Sequence, residues 1–254
     1  MLLKIYPIGS IDKNRVITIA EDFVQLEFVK IGFSDNIDDF IFSYRSALNL
    51  NEEEFKYLKN KKIITMCVDP DWMPLEKIEN SKHIGIAADY MQIVSKKINT
   101  PIVLVPTSSW MESMNKAKNR ECDIFSIASE TNDRKKYMDF TKSYLALPLV
   151  LATRLDKTFI GSLSEIRGKS VAIVEGYSIA QKIEKYYPEI KIEYVKSITE
   201  GLEVVESGKV YAYIDNLMVT SYNIQKYFTG NFKVSGRLDK DLYLSVATRN
   251  DETI

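Results

Sequence analysis

The sequence predicts an α/β protein of two lobes, each an open and mostly parallel sheet flanked by helices. Strand-like and helical segments alternate between residues 61 and 128 in the order strand–helix–strand–helix–strand. The same order recurs from residue 169 onwards, and a strand, LYLSVATR, follows it near the end of the chain. One extended apolar segment, YLALPLVLAT at 144–153, joins the two halves. Two lobes with a cleft between them, joined by extended hinge strands, are the simplest architecture for this pattern.

In the first half, apolar runs predict three strands, and helical periodicity predicts two helices. The segment PDWMPLEKIENSKHIG is predicted to be a loop because prolines interrupt it. The first helix has a predicted apolar face at Tyr90, Ile93, Val94 and Ile98, and the second has Ser108 or Ser109 as its N-cap. The predicted strands are KIITMCVD, PIVLVP and CDIFSIA, and the predicted helices are AADYMQIVSKKIN and SWMESMNKAKNRE.

The second half repeats the alternation after the YLALPLVLAT segment. The hinge is expected around Leu147–Arg154 and again around Gly236–Tyr243. The predicted strands are KSVAIVEG, IKIEYVK and VYAYIDN, and the predicted helices are YSIAQKIEKYYP, SITEGLEVVESGK and LMVTSYNIQKYF.

Residues 1–60 are expected to be an upstream segment or the tail of a preceding module. They contain strand-like runs, VITIAEDF and FVQLEFVKI, and a helical one, DDFIFSYRSALNL. A short connector helix follows, with Asn51 as its N-cap. Residues 61–254 are expected to form a domain of two lobes, lobe 1 at about 61–150 and 243–254 and lobe 2 at about 151–242. We expect this domain to be truncated at its C-terminus.

Composition excludes several classes of function. The formal net charge is −1 with dispersed lysines, which argues against a nucleic-acid surface. No apolar run approaches the roughly 18–20 residues of a membrane-spanning helix. The first residues, MLLKIYPIGS, lack the features of a signal peptide. The chain is therefore expected to be either cytosolic or a piece of a longer protein.

The cysteines and the single histidine do not form a metal motif. Cys67 and Cys122 are interpreted as two buried small hydrophobic residues, with a disulfide between neighbouring strands as the alternative. His83 is predicted to be solvated in a polar loop. We expect no cofactor, because no phosphate-binding loop is present.

Open α/β sheets bind ligands at the carboxyl ends of their strands, next to helix N-termini. This rule directs attention to the residues that follow each predicted strand. They are Asp69 to Trp72, Ser129 to Arg134, Gly176 to Ser178, and Asp215.

Motifs at these positions resemble the bacterial extracellular solute-binding proteins of family 3, with the type 2 periplasmic-binding-protein fold. More narrowly, they resemble the repeated extracytoplasmic binding domains of sensor histidine kinases. The resemblance covers residues 61–254, about three quarters of the chain. It is carried by VDPDWMPLE, GIAADYMQIV, the block from CDIFSIASETNDR through MDFTKSY, RGKSVAIVEGYSIAQ, SGKVYAYIDN and LSVATRND.

The resemblance implies a clamp that closes on a small solute, often an amino acid, and gives each site residue a role. Arg134 matches the arginine that holds the ligand carboxylate, and Asp215 matches the acid that takes the ammonium group. Ser178 matches the start of a helix whose amides face the carboxylate. Asp69 and Trp72 match a cleft-lining acid and aromatic, and Ser129 a small polar contact.

Physical chemistry supports these roles and also offers alternatives to them. A guanidinium holds a carboxylate bidentately, whereas Arg134 as a plain surface charge would be solvated beside Asp133. Trp72 could instead be a packing aromatic in a proline-braced turn. Asp215 could be the N-cap of the next helix. Trp110 is predicted to pack its helix onto the sheet.

The sequence departs from the family pattern at three positions that bear on specificity for the ligand side chain. Val174 and Glu175 stand where many amino-acid binders have a basic or polar residue, and Ser178 stands where a glycine is expected. The carboxylates of Asp69, Asp71 and Glu76 make acid–base catalysis, as in dehydratases of this fold, conceivable. No nucleophile stands beside a base, so we expect no enzyme.

The predicted function is extracytoplasmic binding of an amino acid or related carboxylate, with hinge closure as the signal to a membrane-bound sensor kinase or cyclase. The partners would be the ligand and the rest of that sensor. The alternative is a substrate-binding subunit that works with an ABC permease. A spacer domain without a ligand is a third reading.

Overall fold

The structure is a computed structural model that describes residues 51–251. The chain divides into two compact units, Met1–Lys56 and Tyr57–Ile254. The strands and helix predicted within residues 1–50 lie outside the described residues. In the described part of the first unit, the Asn51 side chain accepts hydrogen bonds from the amides of Glu53 and Glu54, both at 2.9 Å. This confirms Asn51 as the N-cap of the connector helix.

Six α-helices lie within residues 51–251, and the five that follow the connector match predicted helices. Ser109 caps the third by accepting from the Glu112 amide, which decides between the two predicted caps. The helices are α1 (Glu52–Asn60), α2 (Ile86–Ile98), α3 (Trp110–Lys118), α4 (Ser178–Tyr186), α5 (Ile198–Glu206) and α6 (Leu217–Tyr227), and short 3-10 turns cover Arg134–Lys136 and Leu163–Ile166.

The strands form two main sheets and one small sheet. Their mean length of a few residues is typical of α/β domains. They are β1 (Ile64–Cys67), β2 (Asp71–Trp72), β3 (Glu76–Glu79), β4 (Lys82–Ile84), β5 (Ile102–Leu104), β6 (Ile124–Ala128), β7 (Met138–Phe140), β8 (Leu145–Leu147), β9 (Leu149–Arg154), β10 (Ser170–Val174), β11 (Lys191–Val195), β12 (Ala212–Asn216), β13 (Phe232–Arg237) and β14 (Leu242–Arg249).

The first sheet has the order β5-β1-β6-β14-β7, and β8 pairs with β14. Strands β5, β1 and β6 are parallel, and β14 runs antiparallel to β6, β7 and β8. The second sheet has the order β11-β10-β12-β9-β13, in which β11, β10 and β12 are parallel and β9 runs antiparallel to both of its neighbours, β12 and β13. Two mostly parallel sheets with covering helices confirm the predicted architecture of two lobes.

The chain crosses between the two sheets twice. The segment YLALPLVLAT, predicted as one strand, is two strands, because Pro148 separates β8 in the first sheet from β9 in the second. The return lies between β13 and β14, at residues 238–241. Both crossings fall inside the segments predicted as hinges.

Three details of the first half differ from the prediction. The predicted loop at 70–85 contains the small sheet β2-β3-β4. Helix α2 buries Ala87, Ala88 and Met91, whereas Tyr90 and Ile93 are exposed. The predicted apolar face was therefore wrong at these two positions, because small residues next to the sheet allow closer packing than large ones. Strand β7 was not predicted, and neither was β13 in the second half.

Cys67 and Cys122 form a disulfide, with their Cα atoms 5.7 Å apart. The favoured interpretation of two separate thiols was therefore wrong. The reason lies in the topology: β1 and β6 are neighbours, so the end of one strand and the start of the other come within bonding reach. Both residues are fully buried.

Within residues 51–251, the longest helices are too short and too polar to cross a bilayer.

Candidate functional site

The structure brings all six predicted site residues to one cavity between the two lobes, which we call the cleft. Each reaches it from the end of a strand or the start of a helix, where the sheet geometry concentrates ligand contacts. The side chains are buried, with exposed fractions between 1% for Asp215 and 9% for Ser178. The first lobe supplies Asp69, Trp72, Ser129 and Arg134, and the second supplies Ser178 and Asp215.

Arg134 lies at the centre of the cleft and spans both lobes. Its Nη1 atom donates to the Ser129 carbonyl at 2.6 Å and to the Ser129 Oγ at 2.8 Å. Its Nη2 atom donates to the Gly176 carbonyl of the second lobe at 3.0 Å. The guanidinium stacks on Trp110, 5.1 Å from the ring centroid. Arg134 is therefore a buried, oriented cation and not a solvated surface charge.

Asp69 belongs to the first lobe and is tied to the second by Tyr177, whose hydroxyl donates to Oδ2 at 2.9 Å. Its backbone amide donates to the fully buried Glu76 at 2.7 Å. Glu76 also accepts from the Ser126 hydroxyl and contacts His83 Nε2 at 3.2 Å. This network fixes the loop that carries Asp69, since every partner of the Glu76 carboxylate is itself buried or half-buried.

Asp215 is held by donors from both lobes. Trp72 Nε1 donates to its Oδ2 at 3.1 Å across the cleft, and Tyr213 donates from the same strand at 3.1 Å. The helix that follows is capped by Asn216, which accepts from the Val219 amide, so the alternative of Asp215 as the N-cap is wrong. Trp72 is not a mere rim aromatic, because its indole contacts a cleft carboxylate.

Two aromatic residues of the cleft, Tyr177 and Trp110, were not predicted as site residues. Tyr177 bonds Asp69 and packs edge-on against Trp72, with ring centroids 5.8 Å apart. Trp110 packs on Phe125 of the first sheet, as predicted, but also donates to the Gly176 carbonyl at 3.3 Å. Tyr177 directly precedes Ser178 in the sequence, so its position at a helix start was the available signal.

The start of helix α4 faces the cleft at Ser178. The first amides of a helix have no intrahelical acceptor, and the N-cap Tyr177 offers no side-chain bond to them. These free amides favour an anion, as the positive charge of Arg134 does. Gly176 lies just before, at φ 85°, and a Cβ there would come within 2.2 Å of Met114 Cε. The glycine thus allows close contact between the lobes.

Burial shifts the pKa values of the charged groups in the cleft. Desolvation raises the pKa of Asp69 to about 7 and that of Asp215 to about 6. It lowers the pKa of Arg134 to about 10, so the guanidinium stays protonated at neutral pH. The cleft therefore combines one cation with two carboxyl groups that titrate close to neutrality.

The cleft is small, with a volume of about 30 Å³. That volume holds about two water molecules, far below the roughly 300–1,000 Å³ of typical small-molecule sites. Hydrogen bonds between the lobes already occupy the side chains of Arg134, Asp69 and Asp215. A solute can enter only if the lobes part.

One further sequence-based expectation was wrong. His83 was predicted to be solvated, but its side chain is only 7% exposed and lies against Glu76. The small sheet β2-β3-β4 holds it there, which a loop prediction could not show. No cluster of His, Cys, Asp and Glu within residues 51–251 could hold a metal ion.

The family model of bacterial extracellular solute-binding proteins, family 3, matches residues 64–229. The chain belongs to this family. With two lobes, hinge crossings and a polar cleft, it has the type 2 periplasmic-binding-protein fold.

Among curated proteins, the virulence sensor protein BvgS of Bordetella bronchiseptica is 20% identical over 211 residues, which is 82% of this chain and 17% of BvgS. The chain thus spans about a sixth of that relative's length. The probable amino-acid-binding protein YxeM of Bacillus subtilis is 31% identical over 157 residues, covering 60% of this chain and 59% of YxeM.

Among solved structures, the periplasmic VFT2 domain of Bordetella pertussis BvgS superposes with a TM-score of 0.72 at 19% identity. The match covers 80% of this chain and 87% of that domain. At this level of identity the likeness concerns the fold alone.

Proposed function

We propose that the chain binds an amino acid or related carboxylate in the cleft, outside the cytoplasm, and that closure of the lobes signals to a membrane-bound sensor kinase or cyclase. One observation carries the proposal: the buried cation Arg134 shares the cleft with two carboxyl groups, Asp69 and Asp215. Opposite charges on fixed supports are the complement of a zwitterion.

The ligand carboxylate would take the positions that protein oxygens now occupy around Arg134. These are the Gly176 carbonyl of the second lobe and the two oxygens of Ser129. The free amides at the start of helix α4 would supply further donors. The ammonium group would lie toward Asp215 or Asp69, where it replaces the donors Trp72 and Tyr177.

Closure would convert binding into a signal. A ligand that contacts both lobes favours the closed state by its differential affinity, and the closed fraction follows its concentration. The buried disulfide Cys67–Cys122 supports an oxidising, extracytoplasmic location. We propose binding and no catalysis, because the cleft carboxyl groups serve as hydrogen-bond acceptors from the opposite lobe.

A thermal-shift panel of amino acids and small carboxylates tests the proposal on the full chain. A true ligand at about one hundred times its Kd stabilises the fold by about 2.7 kcal/mol, which raises Tm by about 5–10 °C. If no amino acid or carboxylate in the panel raises Tm, the binding proposal fails and a spacer role takes its place.

The second candidate is a substrate-binding subunit of an ABC importer for amino acids. It is favoured by the 31% identity to YxeM, which exceeds the identity to BvgS over a shorter stretch. Both candidates use the same cleft. They separate on the full gene product: a sensor continues into a membrane segment and an output domain, whereas an importer subunit does not.

A further inference from the structure

A second cavity lies in the first lobe, between helix α2, the edge strand β5 and the turn that leads into β4. We call it the α2–β5 groove. Its volume is about 410 Å³, against about 30 Å³ for the cleft. This falls within the roughly 300–1,000 Å³ of small-molecule sites. The described residues that line it are all different from those of the cleft.

The floor of the groove is apolar. Met66, Met91 and Ala88 are buried to 3%, 3% and 4% exposure, and Ile102 and Leu104 of β5 complete the floor. Methionine side chains adapt to ligands of different shape, since they are unbranched and polarizable. The floor therefore suits a flat or extended apolar body.

The rim of the groove is basic. Lys82 of β4 and Lys96 of α2 both line it, and Lys96 lies one helical turn after Gln92. Both lysines are exposed, and neither forms an ion pair with another residue of 51–251. No aspartate or glutamate is among the described lining residues. Unpaired ammonium groups above an apolar floor favour an anion with a hydrophobic body.

We propose that the α2–β5 groove is a second binding site, which takes a small amphipathic anion with an aromatic or aliphatic body and a carboxylate or sulfonate head. The body packs on Met66 and Met91, and the head lies between Lys82 and Lys96. The proposal stands independently of the cleft, because it shares no residue with it.

A buried chain of hydrogen bonds connects the groove with the cleft. His83 lines the groove and contacts Glu76 at 3.2 Å, and Glu76 accepts the backbone amide of Asp69 at 2.7 Å. Asp69 lines the cleft. An anion that moves His83 would therefore act on the loop that carries Asp69, which gives the second site a route to modulate the first.

The test uses the amphipathic anion 1-anilinonaphthalene-8-sulfonate as the probe, titrated by fluorescence into the full folded chain. The double variant Lys82→Glu/Lys96→Glu reverses both rim charges at exposed positions, where substitutions usually change stability by less than about 0.5 kcal/mol each. We expect the probe's Kd to rise about tenfold or more in this variant. The matched control is Lys182→Glu, an exposed helical lysine of the second lobe, and it should leave Kd unchanged.

Hydrogen exchange on the probe complex locates the site. Protection is expected at 86–98 and 101–105, which contain α2 and β5, and not at 174–180 beside the cleft. Equal probe affinity in all three proteins, no saturable binding, or protection confined to other segments would overturn the proposal. Failure of the amino-acid panel would leave this result unaffected, so the two proposals can fail separately.

Discussion

The cleft and the α2–β5 groove differ both in volume and in the number of buried charged groups that line them. The cleft is about 30 Å³ in volume, yet a guanidinium, two carboxyl groups and a helix start converge on it. The groove is about 410 Å³, yet its polar groups are confined to an exposed rim. The cavity volume depends on the present arrangement of the lobes. Burying several charged groups at one place costs free energy, and such clusters are typical of functional sites. Cavity size alone would rank the groove above the cleft, which we propose as the primary site.

The two sites also differ in how they can change. The cleft lies between two lobes, and within residues 51–251 the chain crosses from one to the other at Pro148 and at 238–241, so we expect the cleft volume to depend on the hinge angle. The groove lies within one lobe and is built on packed core residues. We therefore expect cleft binding to depend on lobe motion and groove binding to be independent of it.

The largest expected effect is that of Arg134→Ala on amino-acid or carboxylate binding. Loss of the only described cation in the cleft leaves a ligand carboxylate without a charged partner, at a cost of about 2–5 kcal/mol. Calorimetric titration with the most stabilising compound of the panel measures it. Probe binding at the groove should not change.

The matched control is Lys136→Ala, two residues along the same 3-10 turn, whose side chain is 74% exposed. It should change the binding free energy by less than about 0.5 kcal/mol. If both variants bind the compound as the wild type does, Arg134 is not a ligand contact.

A smaller effect is expected from Gly176→Ala, paired with Gly168→Ala. Both glycines have positive φ, at 85° and 76°, so each substitution costs about 1–2 kcal/mol of folding stability. Only Gly176 also contacts the opposite lobe, through Met114 and Met111, whereas nothing lies within 4 Å of a Cβ at Gly168.

We therefore expect Gly176→Ala to weaken both stability and ligand binding, and Gly168→Ala to weaken stability alone. Urea unfolding gives the first quantity and calorimetry the second. Equal binding by the two variants would contradict the role of Gly176 in lobe contact.

The smallest effect concerns pH. Asp69, with a pKa of about 7, is half ionised at pH 7, and an ammonium ligand needs its anion. Raising the pH from 7 to 8 should therefore strengthen binding by about twofold, and affinity should fall steadily below pH 6. Asp69→Asn should remove the change between pH 7 and 8, whereas the fall below pH 6 persists if Asp215, with a pKa of about 6, also contacts the ammonium group. A pH-independent Kd in the wild type would exclude Asp69 as an ammonium partner.

The stability of the unliganded fold should depend on pH in the opposite direction, decreasing as the pH rises. The folded-state pKa values of Asp69 and Asp215 lie above the ordinary value of 3.8, so the folded state holds more protons. Their contribution to stability is fully present below about pH 4 and is lost as the pH rises through 6 to 7. Urea unfolding between pH 4 and 8 measures this slope.

Much of this architecture could be predicted from the sequence. The alternation of strands and helices predicted both sheets. The rule that ligands bind at strand ends pointed to six residues from distant segments, and all six line one cavity. The predictions that were wrong concern residues whose environment is set by segments distant in sequence. His83 was assigned to solvent because its burial comes from strand pairing in β2-β3-β4, and the Cys67–Cys122 bond depends on β1 lying beside β6.

Side-chain details of the site were also beyond the sequence. Tyr177 and Trp110 bond across the cleft because the lobes touch, and no local pattern reports a contact between lobes. Tyr90 and Ile93 fit a helical period but face solvent, since periodicity does not say which of two apolar faces meets the sheet.

The central claim, that the solute binds between the lobes, can be tested by locking them. Asp133 and Gln181 lie on opposite lobes at the cleft mouth, with Oδ2 and Nε2 3.0 Å apart, and both are exposed. In Asp133→Cys/Gln181→Cys, a short bis-maleimide would hold the lobes together. In calorimetry, the locked protein should no longer bind the most stabilising compound of the panel, while the probe should still bind at the groove. Each single-cysteine variant, treated with the same reagent, should still bind the compound. Unchanged binding of the compound by the locked protein would contradict the claim.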